Sequence, residues 1–161
     1  MKFHIGDTVI HLTYGLGEII DVDEKELFGR KERYYVVQVQ NLCLWVPISQ
    51  EDQGSLRYPT PPQEFERLFT ILHSPGEPLA EDRLERKNQL LEKMRDGTLE
   101  SICKVIRDLT FHRKVKKLND NDVSTLNQAK NFLSNEWGFS LSIPCSQAGR
   151  ELDQLIGDLS A

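Results

Sequence analysis

The residues with most chemistry to offer are three cysteines, Cys43, Cys103 and Cys145, and four histidines, His4, His11, His73 and His112. A metal or redox site gathers such residues at short spacings, because a bound ion holds its ligands within about 2 Å of one centre. Here they are dispersed and none forms a C-x-x-C pair. The expectation is structural and surface roles, with no metal, no disulfide framework and no cofactor. Asp21-Val22-Asp23-Glu24-Lys25-Glu26 groups carboxylates but lacks the glycine and spacing of a calcium loop, and reads as a solvated hairpin tip. Gly15-Leu16-Gly17 is too short for a dinucleotide fingerprint, and there is no G-x-x-x-x-G-K-S/T phosphate loop. With no nucleophile beside a base and no paired acids, the residues argue against an enzyme and against a small-molecule substrate.

One segment carries a usable charge pattern. Residues 102–117 hold Lys104, Arg107, Arg113, Lys114, Lys116 and Lys117 against Asp108 alone, a net of +5 in a chain of net −5. Residues 1–75, by contrast, hold seven basic and eleven acidic groups. On a helix, Lys104, Arg107 and Lys114 fall within about a third of the circumference. Such a face suits phosphate contact. It equally suits a solvated helix whose C-terminal end favours cations.

Positioning these groups falls to two regions of different period within 161 residues, a length for one medium domain or two small ones. Residues 1–58 predict five short strands, 3–5, 8–12, 18–22, 33–39 and 42–46, with Gly15 and Gly17 at a tight bend and Phe28-Gly29-Arg30 opening a long loop. That density of strands and glycine turns predicts a small barrel. Tyr58-Pro59-Thr60-Pro61-Pro62 predicts a linker over 59–63, since proline removes backbone donors and favours extended chain. Residues 64–161 then predict a compact helical domain, so the fold class is α+β in two domains. Phe65, Leu68, Phe69 and Leu72 share one helix face. A second helix should start near Glu81, with Leu84, Leu91 and Met94 inward and Gly97 as its stop. Thr98 caps a third with a wide apolar stripe from Leu99 to Thr110. Asn119-x-x-Asp122 is a variant capping box for a fourth helix, burying Leu126, Ala129, Leu133 and Trp137 and ending at Gly138. Ser146 caps a last helix, with Ala148, Leu152, Leu155, Ile156 and Leu159 aligned. No apolar run reaches membrane-spanning length, and the first residues lack the apolar centre of a signal peptide. A cytoplasmic protein is expected.

In order along the chain, Phe3-x-x-Gly6-Asp7-x-Val9-Ile10, Tyr14-Gly15-x-Gly17-x-Ile19, Gly29, Tyr34-Tyr35-Val36-Val37 and Val46-Pro47 are followed by Leu91-Glu92-Lys93-Met94-x-x-Gly97, Val105-Ile106-Arg107-Asp108-Leu109, Leu118-Asn119-x-x-Asp122 and Ala129-Lys130-x-x-Leu133. This combination, spanning roughly residues 1–137, resembles the CarD family of bacterial transcription regulators. The resemblance implies a Tudor-like barrel that docks on the β subunit of RNA polymerase, as a similar barrel of the transcription-repair coupling helicase does. It also implies a helical domain that reaches promoter DNA at the upstream edge of the melted bubble and stabilises the open complex. Lys25 falls where relatives can present a basic residue to polymerase, and Trp45 and Val46 lie on the strand flanking that contact. Where relatives often carry a wedging Trp, this chain has Arg83; where relatives can be basic, it reads Asp122-Val123-Ser124. The DNA-contacting set implied is then Arg83, Arg86, Lys87, Lys104, Arg107 and Lys114, with contacts mostly to phosphate. The alternatives are a polymerase-binding adaptor without DNA engagement and a KOW-like RNA- or ribosome-associated factor.

Overall fold

The computed structural model describes residues 1–49 and 55–159, which divide into a sheet unit, residues 1–59, and a helical unit from residue 60 onward. The strands are β1 (Thr8–His11), β2 (Gly15–Leu27), β3 (Arg30–Val39), β4 (Leu42–Pro47) and β5 (Leu56–Arg57). They form one antiparallel sheet in the order β4-β3-β2-β1-β5. Val46 of β4 and Leu56 of β5, from opposite edges, enter one core with Phe3, Val9, Ile19, Tyr35, Val37 and Val39, as a sheet curling toward a barrel requires.

Two expectations about the strands change. Residues 3–5 are not a strand. Phe3 is instead a plug, wholly buried, edge-on to Tyr35 and tilted against Tyr58, with its N–H donating to the Tyr35 hydroxyl at 3.2 Å. Burying that ring contributes about 2–3 kcal/mol, more than a three-residue edge pairing would. The fifth strand is Leu56–Arg57, too short to show any period in the sequence. Gly17 marks the closest strand approach: a Cβ there would lie 2.7 Å from Val39 Cγ2 and 2.8 Å from the Gln38 carbonyl oxygen.

Strand β2 runs farther than expected, and two features shape it. A bulge at Ile19–Asp21 inserts one residue against β3. Ile19 before it and Val22 after it both turn to the core, while Ile20 is exposed. Asp21, Asp23, Lys25 and Leu27 thereby share the outer face; in unbroken alternation with Ile19 they would share the inner one. The second feature is the connection to β3. Phe28 and Gly29 form a two-residue hairpin turn, with φ of 52° and 75° and Leu27 paired to Arg30. This is the geometry for which Asn-Gly is the favoured pair, and a left-handed Phe costs about 1 kcal/mol relative to it. The predicted loop exit is thus the hairpin tip, and the Asp21–Glu26 carboxylates lie along the strand below it.

The helical unit opens with a 3₁₀ turn, Pro62–Glu64, followed by α1 (Phe65–His73), α2 (Arg83–Asp96), α3 (Leu99–Val115), α4 (Asp120–Leu141) and α5 (Cys145–Leu159). Helix α3 packs on α1, α2 and α4. It buries Leu99, Ile102, Cys103, Val105, Ile106 and Leu109, so almost its whole girth is interior. Caps follow the sequence: Asp82 accepts from the Glu85 N–H, Thr98 from the Ser101 N–H, and Asn119 with Asp122 completes a capping box. Gly97, with φ of 71°, ends α2. Gly138 does not end α4. It lies inside the helix, where a Cβ would sit 3.1 Å from the Ile143 carbonyl oxygen, and the left-handed residue closing the helix is Ser142. Helix α5 begins at Cys145, one residue before Ser146, and buries Ala148, Leu152 and Ile156; the side chain of Leu159 lies outside the described residues.

Helix α2 departs most from its predicted face. Leu84 is 65% exposed and Leu91 is 42% exposed, while Arg86 and Leu90 are buried and Lys93 and Met94 half-buried. Arg86, Leu90 and Lys93 occur at i, i+4 and i+7, one helical stripe, so two of the three residues on the inward face are cations. Hydrophobic periodicity cannot find a face of that kind.

Candidate docking and nucleic-acid surfaces

On the outer face of the sheet, Asp21 of β2, Val36 of β3 and Trp45 of β4 lie in one row, and Asp23, Tyr34 and Pro47 lie in the next. Trp45 is 44% exposed and donates its indole N–H to Asp23 Oδ2 at 3.4 Å. Lys25 Nζ lies 4.2 Å from the centre of the Trp45 ring. A cation over an indole is held by the ring quadrupole. The stack presents an aromatic surface and a positive charge together, and neither is needed for the core beneath. Val46 is elsewhere. It is 4% exposed, on the opposite side of β4 from Trp45, and its side chain belongs to the core. What Val46 offers outward is backbone, since β4 is an edge strand of the sheet.

The six cations predicted to contact DNA fall into three groups. Arg86 is 4% exposed; its Nε donates to both carboxylate oxygens of Asp122, at 3.0 and 3.2 Å, and Nη1 donates to the carbonyls of Ala80 and Glu81. Asp122 is also the capping-box residue, so its carboxylate ties α2 to the start of α4. Arg86 is therefore a structural residue, withdrawn from any surface. Arg107 belongs with it. Its Nε meets Asp108 Oδ1 at 2.9 Å and its Nη1 donates to Ser74 Oγ. Asp108 is wholly buried and also receives Lys93 Nζ at 3.1 Å and the Glu77 N–H at 2.9 Å. One carboxylate thus joins α2, α3 and the segment after α1. Burying it uncompensated would be costly, and three donors are what make the site tenable.

Lys104 is half-buried and adds to the field on Asp96, whose carboxyl is held below its ordinary range chiefly by the Ser101 hydroxyl, with Thr98 and Lys104 assisting. The basic stripe Lys104–Arg107–Lys114 is accordingly broken at its centre. Of the predicted set, the exposed cations are Arg83 and Lys87, one turn apart on α2, and Lys114, which stands with exposed Arg113, Lys116 and Lys117 at the C-terminal end of α3. Arg83 is the first residue of its helix, where the macrodipole disfavours a cation. Leu84 stands exposed beside it.

Asp108, Lys93 and Asp122 were absent from the predicted functional set. The signal for Asp108 is a charged pair, Arg107-Asp108, within an otherwise apolar run; the signal for Lys93 is its seven-residue spacing from Arg86. The thiols offer little reactivity by comparison. Cys103 is buried and its pKa is pushed up to about 12, first by burial and then by the Glu136 charge. Among the described residues, no three His, Cys, Asp or Glu side chains come together as a metal site, and no helix is long and apolar enough to cross a membrane.

A curled, five-stranded Tudor-like sheet module carrying an exposed aromatic–cation stack, followed by a five-helix module, defines a class of two-part binding protein. Residues 3–58 match the CarD-like/TRCF RID domain family and residues 67–153 match the CarD C-terminal domain family. A protein of Bacillus subtilis (strain 168) with the name "Putative transcription factor YdeB" is 30% identical over 142 residues, covering 83% of this chain and 89% of its own length. The chain belongs to the CarD family of transcription factors.

Proposed function

We propose that this chain regulates transcription by docking on the β subunit of RNA polymerase through the outer face of the sheet unit and touching promoter DNA with the helical unit. The Lys25–Trp45 stack carries the proposal, because it places a large amphipathic ring and a charge where folding does not require them. In this reading Val46 supports the contact through the β4 backbone and through the packing beneath Trp45. The physical mechanism is differential binding. A factor that holds the open complex more tightly than the closed one shifts that equilibrium by the difference in affinity and no more. The DNA contacts fall to Arg83, Lys87 and Lys114, with Lys104 at the margin, positioning on phosphate at the upstream edge of the bubble. Arg86 and Arg107 support them from within. The setting is the bacterial cytoplasm.

The test is co-purification of core polymerase with the full-length chain carrying Trp45→Ala or Lys25→Glu. Each variant should keep its circular dichroism spectrum and lose about tenfold in affinity, as truncation of an interface anchor does. Wild-type capture by both would overturn the docking reading. A second reading, a polymerase-bound adaptor that leaves DNA alone, is favoured by the internal pairing of Arg86 and Arg107. Footprinting of the upstream bubble edge separates the two: protection requires DNA contact, and its absence alongside normal polymerase binding selects the adaptor.

A further inference from the structure

Beyond the rows that pair with β1 and β4, strands β2 and β3 continue alone as a two-stranded ribbon. β1 reaches only to Glu18, and β4 reaches only to Tyr34. In the rows past Tyr34, Glu24 stands opposite Arg33, Lys25 opposite Glu32, and Glu26 opposite Lys31. These three rows set opposite charges across from each other, which favours pairing without any apolar face, and the last row before the turn pairs Leu27 with Arg30. The tip then reverses character. Phe28 is fully exposed, the most exposed large apolar residue among those described, and Leu27 beside it is 52% exposed.

Nothing about folding asks for this tip. Its turn geometry favours Asn-Gly, and the Phe side chain touches no core. An aromatic ring held at the end of a polar ribbon, in a backbone conformation it disfavours, fits a role outside the chain. Charge indicates the kind of partner. The ribbon, residues 24–33, carries Glu24, Glu26 and Glu32 against Lys25, Arg30, Lys31 and Arg33, a net of +1 that Asp23 at its base cancels. A nucleic acid or an anionic membrane surface calls for a basic excess, which the ribbon lacks. A protein surface with an apolar pocket inside a mixed-charge rim matches it. Continuity indicates the same choice, since Leu27 lies on the face that carries Lys25 and Trp45.

We infer that the Leu27–Phe28 tip is a second anchor of the polymerase-docking surface, with Phe28 inserting into an apolar pocket of the polymerase. The inference rests on the docking reading above and extends that surface along the ribbon to its end. Lys25 and Trp45 form the near part of the contact and Phe28 the far part.

The experiment compares full-length wild type, Phe28→Asn and Trp45→Ala for thermal midpoint and for affinity to core RNA polymerase by biolayer interferometry. Phe28→Asn restores the favoured turn pair, so its midpoint should stay level or rise while its affinity falls at least tenfold. A structural role for Phe28 predicts a lower midpoint instead, and that result overturns the inference. Unchanged affinity in Phe28→Asn with weakened Trp45→Ala also overturns it and leaves the docking reading standing. Weakened Phe28→Asn with normal Trp45→Ala supports the tip and removes the Trp45 platform. Two further results count against the inference when polymerase affinity is unchanged: loss of duplex-DNA binding, and loss of self-association in sedimentation.

Discussion

The two units place charge differently. In the sheet unit, Asp21, Asp23, Lys25 and Glu32 stand on the outer face, and the strand rows of the ribbon match opposite signs across from each other. In the helical unit, Arg86, Arg107, Asp108 and Asp122 go inside, where they hold α2, α3 and α4 together. The same residue types thus stay on the surface in one unit and hold the other together from inside. A run of cations in a sequence is therefore not yet a surface potential. Of the six cations in residues 102–117, Arg107 is taken inside by Asp108 and Lys104 is half-buried near Asp96, and the exposed four lie at the end of α3.

Breaking the assembly side should have the largest effect. Asp108→Ala leaves Arg107 and half-buried Lys93 without their partner, and should destabilise the helical unit by about 3–5 kcal/mol. Urea unfolding followed by Trp137 fluorescence would report it, and a shift below about 1 kcal/mol would mean the pairings are dispensable. The recognition side of the helices is tested next. Arg83→Ala and Lys87→Ala should each leave stability within about 0.5 kcal/mol and weaken promoter-complex binding. Each should also reduce the slope of log affinity against log salt by about one. Arg107→Ala should instead lower stability and leave the salt slope alone; equal slopes for all three variants would mean that buried and exposed cations contribute alike.

The smallest effect concerns the turn that leads into β2. His11 Nδ1 accepts from the N–H groups of Thr13 and Tyr14, and burial holds its pKa below the ordinary value. A histidine depressed in the folded state binds protons more readily when unfolded. Its contribution is therefore complete above pH 6.5, the ordinary value, and is lost as the pH falls toward its folded value. The urea midpoint of the sheet unit should decline across that window, and His11→Asn, which keeps an acceptor without titrating, should flatten the decline.

Much of this architecture is legible in the sequence. The change from period two to period 3.6 marks where strands give way to helices, and caps at Asn119 and Thr98 place helix starts to the residue. Apolar stripes named the cores of α1, α3 and α4 because those helices bury aliphatic side chains. The stripe of α2 was misread for a physical reason: its inward residues are cations that reach buried carboxylates on other helices, and a pairing across 15 or 36 residues leaves no local trace. Phe3 was misread because a plug and a strand use the same apolar residues. The site residues divided similarly. Lys25 and Trp45 meet because two strand registers align them, and nothing in their sequence separation shows that.

The bulge at Ile19–Asp21 has a consequence that concerns counting rather than chemistry. Along a strand, odd and even positions are two separate addresses, and one supernumerary residue swaps them for everything downstream. Ile20 is that residue. The bulge absorbs it, so that Val22 is delivered to the inside and Lys25 and Leu27 to the outside, the faces they would hold in a regular strand without Ile20; keeping Ile20 but pairing it without a bulge would turn Asp21 and Asp23 inward without altering either. The outer face of this sheet is thus encoded partly as a parity. A homologous chain that lacks Ile20 presents the same outer face from a regular strand, whereas one that keeps Ile20 and loses the bulge turns that face inward.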